Sequence, residues 1–408
     1  AGVNGGELVY SGPVKELAST KNSLTADYVF NNKALSQRIK RKSSGGLRLK
    51  DVSRNNVSHV DIDIPLGVMT CVTGVSGSGK SSLISQALVE LVKGGLNSAE
   101  KEGMRANETR ETEETKELLT DANSLLTNDT FSHKSEPQQG LIESGLEELS
   151  RIVVVDQSPI GRTPRSTLAT YTGIFDQIRS LFASTEEAKS RGYDAGHFSF
   201  NVAKGRCPHC EGLGVVSVEL LFMPSVYSPC TVCNGQRFND NVLEVGYNEH
   251  SIADVLSLTV EEALSVFSGN QVITRGLKTL MNVGLGYLTL GQSATELSGG
   301  EAQRIKLASE LKRAQNANTL YVLDEPTTGL HLSDTALLMQ HLSTLVEAGN
   351  TVVMVEHNMQ VAGACDHIID MGPGAGDEGG EIVAEGRPEE VAKVQQSATA
   401  PFLKASLA

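Results

Sequence analysis

The chain has 408 residues and a formal net charge of −14 at pH 7, and this length suffices for two or three compact units with separate cores. Its hydrophobic content of 39% is ordinary for a soluble protein, and no apolar run approaches the roughly 18–20 residues that a membrane span needs. No basic stretch followed by an apolar one opens the sequence, so we predict a cytoplasmic protein without a membrane partner.

An internal repeat links the two ends of the chain. Residues 1–18 read AGVNGGELVYSGPVKELA, residues 375–392 read AGDEGGEIVAEGRPEEVA, and nine of these 18 positions are identical without a gap. Coincidence between two glycine-rich turns is one explanation. The explanation we favour is that residues 1–23 end a preceding domain of the same kind, which would make the intact protein a tandem repeat.

The next segments are predicted from their local patterns. Residues 24–47 carry three consecutive cations before Ser-Ser-Gly-Gly and are predicted to be an interdomain linker. From residue 48 onward apolar and polar positions alternate, and the run VMTCVT (68–73) predicts a buried parallel strand after paired strands. A helix is predicted from Ser81 to about Val92.

An acidic segment interrupts the pattern at residues 94–149, where 13 acidic residues outnumber 5 basic ones. We predict a disordered or loosely helical insertion that forms a solvated acidic surface. Because this segment holds more than half of the net negative charge, the total charge does not exclude nucleic-acid binding by the remainder.

Strand-like runs then alternate with helical stretches such as residues 334–348. The runs are IVVVD (152–156), TLYVLD (319–324) and TVVMVEH (351–357). This alternation predicts an α/β domain with a mainly parallel sheet.

A phosphate-binding loop is predicted where GVSGSGKS (74–81) matches G-x-x-x-x-G-K-[ST] between a strand and a helix. Its glycines let backbone N–H groups turn around phosphates, and the helix N-terminus adds partial positive charge. Lys80 is predicted to contact the β- and γ-phosphates, and the Ser81 hydroxyl to coordinate Mg²⁺. A chance glycine-rich turn is the alternative, and the strand–loop–helix context argues against it. The predicted ATP-binding residues here are Gly74, Gly77, Gly79, Lys80, Ser81 and Ser82.

Two further segments complete the predicted nucleotide site. The run LYVLDEP (320–326) ends in Asp324, placed to hold Mg²⁺ through its water shell, and Glu325, placed to polarise the attacking water. The run LSGGE opens a helix, so Ser298, Gly299 and Gly300 are predicted to bind an anion at its N-terminus. Alone, the first could be an ordinary acidic turn and the second an ordinary helix cap.

The order of these segments resembles the ABC ATPase family. The resemblance implies that Gln157 links the γ-phosphate and Mg²⁺ to an accessory domain, and that His357 contacts the γ-phosphate. With Glu325, these residues form the predicted catalytic set. In this family the phosphate loop of one domain pairs with the LSGGE signature of another, so this half would need a missing half or a second copy.

Four cysteines form the pattern C-x2-C-x19-C-x2-C. Four thiolates on two tight turns suit tetrahedral Zn²⁺, and a redox pair or a disulfide is the alternative. With every position protein-ligated, the metal would be structural. The predicted ligands are Cys207, Cys210, Cys230 and Cys233.

Transporter ATPases do not ordinarily carry a four-cysteine module between Gln157 and the LSGGE signature, whereas the excinuclease A family does. The chain resembles the carboxy-terminal half of that family. The resemblance runs from residue 1 to about 393, apart from 94–149. It rests on the strings VTGVSGSGKSSL, DQSPIGRTPRS, ATYTGIFDQIR, RGYDAGHFSFNVAKGRC, VGLGYLTLGQSATELSGGEAQRIKLASEL and LDEPTTGLHLSD. Thr167 departs from the family, which commonly has asparagine there.

The resemblance implies an ATPase that recognises lesions in duplex DNA for nucleotide excision repair and is not itself the nuclease. Its implied partners are the amino-terminal ATPase half, a helicase subunit and a second copy of the full-length protein. Two alternatives are an excinuclease-A-like paralogue in drug resistance and a soluble ATPase subunit of a transporter. The zinc module argues against the transporter.

Local charge gives independent support for DNA binding. Residues 157–175 and 195–210 contain cations and no acids, and such cations can hold phosphates without reading bases. Solvated surface charge is the alternative. The predicted DNA contacts are Arg162 and Arg165, which lie in the family's GRTPRS string, together with Lys204 and Arg206.

The predicted division of the chain follows from these segments. It comprises the end of a preceding ATPase domain (1–23), a linker (24–47), the first part of the ATP-binding core (48–93), the acidic insertion (94–149), a signature-side subdomain with the zinc module at 207–233 (150–290), the signature helix and the rest of the core (291–393) and a tail (394–408).

Overall fold

The computed structural model describes residues 7–20, 23–30, 41–108, 139–220, 223–313 and 317–407. The chain forms two compact units. Unit 1 consists of Ala1–Leu35, Val155–Gln315 and Thr327–His341, and unit 2 of Ser36–Val154, Asn316–Pro326 and Leu342–Ala408. Among the residues that the structure describes, no helix has both the length and the apolar character needed to cross a bilayer.

The elements of the described residues are numbered in chain order. The strands are β1 (Gly45–Arg54), β2 (Val57–Leu66), β3 (Met69–Gly74), β4 (Gln139–Ser144), β5 (Arg151–Val155), β6 (Val215–Leu220), β7 (Met223–Pro229), β8 (Gly246–Tyr247), β9 (His250–Ser251), β10 (Thr319–Asp324), β11 (Thr351–Val355), β12 (His367–Gly372) and β13 (Glu381–Gly386). The helices are α1 (Val14–Leu17), α2 (Leu24–Phe30), α3 (Val89–Glu108), α4 (Leu168–Tyr171), α5 (Ile174–Ala183), α6 (Glu186–Ser190), α7 (Asp240–Leu243), α8 (Ile252–Ser257), α9 (Val260–Val266), α10 (Gln271–Asn282), α11 (Gly299–Arg313), α12 (Leu332–Glu347), α13 (Met359–Ala364), α14 (Pro388–Val391) and α15 (Ala400–Leu407).

The main sheet has six strands in the order β13-β12-β3-β11-β10-β5. Strand β3 runs parallel to both of its neighbours, β11 and β12, and β11 runs parallel to β10. Every residue of β11 is buried, as are all but the last of β3 and β10, which explains their continuous apolar sequences. The parallel pairing brings the carboxyl ends of β3, β10 and β11 to one edge of the sheet.

A second sheet in unit 2 is antiparallel, in the order β2-β1-β4. Alternating residues of β1 and β2 face the core, so that Leu47 pairs with Ile64 and Leu49 with Ile62, all of them buried. The predicted paired strands are therefore present, and they lead directly into β3.

The predicted insertion at 94–149 contains more structure than its composition indicates. The helix expected to end near Val92 continues as α3 to Glu108, and β4 begins at Gln139; residues 109–138 lie outside the described residues. Ile142 and Leu146 pack against the main core. The acidic composition of the whole segment does not indicate this packing, because these apolar residues are few and widely spaced. Within the predicted linker, α2 occupies Leu24–Phe30 and β1 begins at Gly45.

Unit 1 is mainly helical, with the two hairpins β6–β7 and β8–β9. Its core is aromatic around Phe200, whose ring stacks on Phe175 at 5.1 Å and meets Phe238 edge-on at 6.0 Å. All three side chains are fully buried or nearly so. The cluster thus joins helix α5, which carries Phe175, to two segments that flank the cysteines in sequence.

A buried carboxylate joins the end of the described chain to the central strand. Asp370 on β12 accepts hydrogen bonds from the hydroxyls of Thr73 (2.6 Å), Thr399 (2.6 Å) and Ser397 (2.7 Å). Thr73 directly precedes the glycine that opens the predicted phosphate loop. The predicted tail at 394–408 thus includes residues that contact the core beneath that loop.

We expect Asp370→Ala to destabilise unit 2 by about 2–4 kcal/mol, because it leaves three buried hydroxyls without their acceptor. Differential scanning calorimetry should show a lower melting temperature than for Glu385→Ala, which removes an exposed acid from the adjacent strand. Equal melting temperatures for the two variants would contradict the role given to Asp370.

Candidate nucleotide, metal and nucleic-acid sites

The predicted phosphate loop leaves the carboxyl end of β3 with three glycines at positive φ: 137° at Gly74, 79° at Gly77 and 101° at Gly79. A side chain at Gly74 would also collide with the carbonyl oxygen of Met371. These positions therefore require glycine. The loop is followed by a π-helical segment, Ser82–Leu88, that continues into α3.

Lys80 lies almost completely buried inside this loop. Its Nζ donates hydrogen bonds to the carbonyl oxygens of Gly74 (3.0 Å) and Val75 (2.7 Å). Burial lowers the pKa of Lys80, whereas the nearby carboxylates of Glu325, Asp370 and Asp324 act in the opposite direction. Ser81 is exposed at the helix start, and the Ser82 hydroxyl accepts a hydrogen bond of 2.9 Å from Asn55.

Strands β10 and β11 bring the predicted acids and histidine to the same edge of the sheet. Asp324 Oδ2 accepts a hydrogen bond from Ser85 Oγ at 3.1 Å. Glu325 Oε1 lies 3.3 Å from His357 Nε2, and Glu325 has a φ of 45°, a strained conformation for a residue with a side chain. In unit 2 the structure thus brings Lys80, Asp324, Glu325 and His357 to one edge.

The LSGGE signature lies in unit 1, at the start of α11. Glu301 Oε2 accepts hydrogen bonds from the backbone N–H (2.8 Å) and the hydroxyl (2.9 Å) of Ser298, which is the helix cap considered as an alternative from the sequence. A Cβ placed on Gly299 would lie 3.3 Å from Gln157 Cβ, so the signature glycine packs against the predicted glutamine.

Sequence reasoning missed Tyr287 as a part of this cap. Its hydroxyl donates a hydrogen bond of 2.6 Å to Glu301 Oε1, and burial, followed by this bond, raises the pKa of Tyr287 to about 12. The tyrosine lies in the family string VGLGYLTLGQS, but nothing in local spacing indicates a partner 14 residues further along the chain.

The four predicted metal ligands converge in unit 1. The Sγ atoms of Cys207, Cys210, Cys230 and Cys233 all lie within 4.8 Å of one another, and all four side chains are buried. Cys210 Sγ and Cys233 Sγ are 3.6 Å apart, close to the roughly 3.8 Å expected of two thiolates on one zinc ion. Burial raises the pKa of Cys233 to about 12, whereas the backbone N–H of Cys233 lowers the pKa of Cys230 to about 6. The donor set fits tetrahedral zinc.

Three of the four predicted DNA contacts are already paired with carboxylates. Arg165 Nη2 lies 3.5 Å and Arg206 Nη2 lies 3.9 Å from the same atom, Glu211 Oε2. Lys204 Nζ lies 2.9 Å from Asp194. Arg162 is exposed, and within the described ranges it forms no ion pair.

Residues next to the cysteine cluster hold the loop at residues 161–166, which carries Arg162 and Arg165. Arg165 also donates a hydrogen bond of 3.1 Å to the carbonyl oxygen of Glu211, the residue after Cys210. Arg237, near the second cysteine pair, donates one of 2.9 Å to the carbonyl oxygen of Pro164 and lies over the Phe200 ring at 5.2 Å. Sequence reasoning did not identify Arg237, because only the fold brings it to residue 164.

We expect the chain to bind about one zinc ion and Cys210→Ser to lose it, because three thiolates close only part of a tetrahedral structural site. Inductively coupled plasma mass spectrometry of the purified proteins measures the metal content. Cys365→Ala, which removes a buried cysteine outside the cluster, should retain the zinc. Equal zinc content in the two variants would refute the assignment.

Comparison with known proteins provides the family context for these sites. No protein-family model matches the chain. All of the chain aligns at 47% identity over 409 residues with UvrABC system protein A of Streptococcus pyogenes serotype M3, and it spans 40% of that protein. For UvrABC system protein A of Lactococcus lactis the identity is 47% over 411 residues, again with 40% of the relative covered.

A solved structure is similar over the same extent. The crystal structure of UvrA2 from Deinococcus radiodurans matches all of this chain with a TM-score of 0.86 and 51% identity, and the match covers 45% of that structure. The predicted fold class, an α/β ABC-type ATPase domain with an inserted subdomain and a four-cysteine module, is confirmed. The chain is therefore homologous, over its whole length, to a segment of UvrABC system protein A, and the predicted resemblance to the excinuclease A family is confirmed.

Proposed function

We propose that this chain is the carboxy-terminal ATPase half of a DNA-damage-recognition subunit of nucleotide excision repair. The observation that carries the proposal is the combination, in one homologue of UvrABC system protein A, of a phosphate loop and an Asp-Glu strand at one sheet edge with a zinc-competent cysteine cluster. The chain binds and hydrolyses ATP to regulate its hold on distorted duplex DNA, and it is not the nuclease. The whole protein acts in the cytoplasm.

The residues at the sheet edge divide the ATPase chemistry among them. Lys80 exchanges its two loop carbonyls for β- and γ-phosphate oxygens, while Ser81 and Asp324 hold the Mg²⁺ site. Mg²⁺, when bound, offsets the negative charge of the phosphates. Glu325 accepts the proton of the attacking water. His357, whose Nε2 lies 3.3 Å from the Glu325 carboxylate, contacts the γ-phosphate.

The signature acts on a nucleotide held by another ATPase half. Gly299 and Gly300 at the start of α11 present backbone N–H groups to an anion. Ser298, whose N–H is held by Glu301, contributes its hydroxyl by exchanging the hydrogen bond to Glu301 for one to the anion. The partner is the amino-terminal half of the same subunit, and the full-length protein is a homodimer that hands damaged DNA to a helicase subunit. Gln157, which packs against Gly299, reports the state of the γ-phosphate to the DNA-binding part.

The DNA contact centres on the loop at residues 161–166. Arg162 is exposed without an ion pair among the described residues, and Arg165 and Arg206 share a carboxylate with each other. Such cations hold the phosphate backbone without reading sequence, as the detection of distorted duplexes requires. The zinc is structural and holds the loop in place through Arg237 and Glu211.

A second candidate is an excinuclease-A-like paralogue. It is favoured by the 51% identity with the protein designated UvrA2. A pull-down between the full-length protein and the helicase subunit of its own host discriminates the two, because only the repair subunit hands over DNA to that partner.

The nucleotide site is tested by two substitutions. Lys80→Ala should abolish binding of a fluorescent ATP analogue to the chain, because it removes the cation at the phosphates. Glu325→Gln should retain binding but lower the hydrolysis rate of the full-length protein by at least about a hundredfold, since the amide cannot accept a proton. Normal turnover by the glutamine variant would count against Glu325 as the base.

DNA binding is tested by fluorescence anisotropy with duplexes of about 50 base pairs, with and without one bulky adduct, over a salt series. Binding should weaken as salt rises, and Arg162→Ala should reduce the salt slope by about one. Lys189→Ala, which removes a surface cation paired with Glu186, is the matched control. Absence of binding to either duplex, in a sample that binds ATP and zinc, would move the DNA contact outside this chain.

A further inference from the structure

Two segments contact the outer side of the phosphate loop by hydrogen bonds. The proposed chemistry uses neither of them. One is the turn between β1 and β2, at Asn55 and Asn56. The other is the glycine-rich loop at residues 374–380, between β12 and β13, whose residues 375–380 belong to the internal repeat found in the sequence. We call these two segments together the outer brace.

Asn56 bridges the phosphate loop and the glycine-rich loop. Its Nδ2 donates one hydrogen bond of 3.0 Å to the carbonyl oxygen of Gly77 and another of 3.1 Å to that of Gly376. Both hydrogens of one side-chain amide are therefore engaged, and each acceptor is a backbone carbonyl that has no proton to offer. A side chain without an NH₂ group cannot replace this bridge.

Backbone hydrogen bonds join the same two loops directly. The N–H of Gly376 donates to the carbonyl oxygen of Gly77 at 3.1 Å, and the N–H of Gly380 donates to that of Ser78 at 3.0 Å. The approach leaves no room for side chains, since a Cβ on Gly380 would collide with the Asn56 carbonyl oxygen, and a Cβ on Gly379 would lie 3.1 Å from Ser78 Cα. The glycines permit this contact.

The contacts orient the phosphate loop because peptide groups are planar and trans. The carbonyl of Ser78 and the N–H of Gly79 belong to one peptide group and point in opposite directions. Since Gly380 holds that carbonyl on the outer side, the Gly79 N–H is directed away from the brace. A phosphate loop works by presenting such N–H groups inward.

The internal repeat gives an independent indication of which residues matter in the glycine-rich loop. Gly376, Gly379 and Gly380 recur as Gly2, Gly5 and Gly6, whereas the exposed acids Asp377 and Glu378 do not recur. The positions retained in both copies include those whose backbone contacts the phosphate loop.

We infer that Asn56 is a positioning residue for ATP binding, acting through the outer brace on the N–H groups of the phosphate loop. The inference rests on the proposed function, because it requires nucleotide at this loop. Without the bridge the loop samples other conformations, and binding then carries the free-energy cost of ordering it.

The test is the affinity of the 408-residue chain for a fluorescent ATP analogue, measured by titration, together with the melting temperature without nucleotide. Asn56→Asp keeps the size of the side chain and removes both donors. It should weaken binding about tenfold while the melting temperature without nucleotide changes little. Asn56→Ala, which lacks the repelling carboxylate, should weaken binding less than the aspartate.

The matched control is Ser58→Asp, which places the same charge two residues away, at an exposed position of β2. Ser58 belongs neither to the outer brace nor to the residues assigned to the nucleotide site. Binding by this variant should stay within about twofold of the unmodified chain.

The outcomes separate the inference from the function on which it rests. If the unmodified chain binds no ATP analogue, or if Lys80→Ala binds it equally well, the proposed nucleotide site is wrong. If the unmodified chain binds and Asn56→Asp binds as tightly, or weakens only to the extent that Ser58→Asp does, the positioning role is overturned. A lower melting temperature with unchanged affinity would assign Asn56 to stability alone.

Discussion

The architecture of unit 2 depends on one constraint, the burial of β3 between two parallel neighbours. Its apolar residues are enclosed on both faces, and its backbone is hydrogen-bonded to β11 and β12. The strand therefore cannot shift or twist on its own, and its carboxyl end fixes the origin of the phosphate loop. The glycines allow the loop to coil tightly around Lys80. The Lys80 side chain can therefore turn back and donate a hydrogen bond to the loop carbonyl of Gly74.

The same sheet brings the other groups of the proposed nucleotide site to one edge. Glu325 and His357 follow β10 and β11, which are adjacent and in parallel register. On the other side of β3, the carboxyl end of β12 leads into the glycine-rich loop of the outer brace. The proposed catalytic residues and the glycine-rich loop of the brace thus follow strands on opposite sides of β3, as loops at one edge of a parallel sheet allow.

In unit 1 the β6–β7 hairpin has to be stabilised without a large sheet around it. A two-stranded hairpin such as β6–β7 is marginal alone, and the cysteine cluster lies at its base, where Val216 of β6 packs against the cysteines. A metal held by the four thiolates would supply free energy of folding that such a small core lacks. Through Glu211 and Arg237 the cluster also fixes the loop at residues 161–166, so the proposed metal site and the surface cations are physically connected.

The sequence predicted well what local pattern determines. Continuous apolar runs located β3, β10 and β11, and motif spacing located the loop glycines and the four cysteines that the structure brings together. It failed where pairing is long-range: β4 lies inside an acidic segment and is defined by its partner β1, and Arg237 reaches Pro164 only in the fold. Thr167 departs from the family pattern yet caps α4 with its hydroxyl, because threonine and asparagine can both do so.

The structure changes the sequence-based prediction most at the cations predicted to contact DNA. Local composition indicated unopposed cations at Arg165 and Arg206, but both face Glu211, which lies outside the acid-free stretches by one residue. A phosphate that reaches either arginine has to exchange with this carboxylate, so the net electrostatic gain is smaller than a count of arginines implies. In a duplex distorted by a lesion the phosphates are displaced. The arginines that can exchange Glu211 for a phosphate can therefore differ from those that do so with a regular duplex. A surface whose cations are already paired therefore favours discrimination between DNA shapes over strong binding to all DNA.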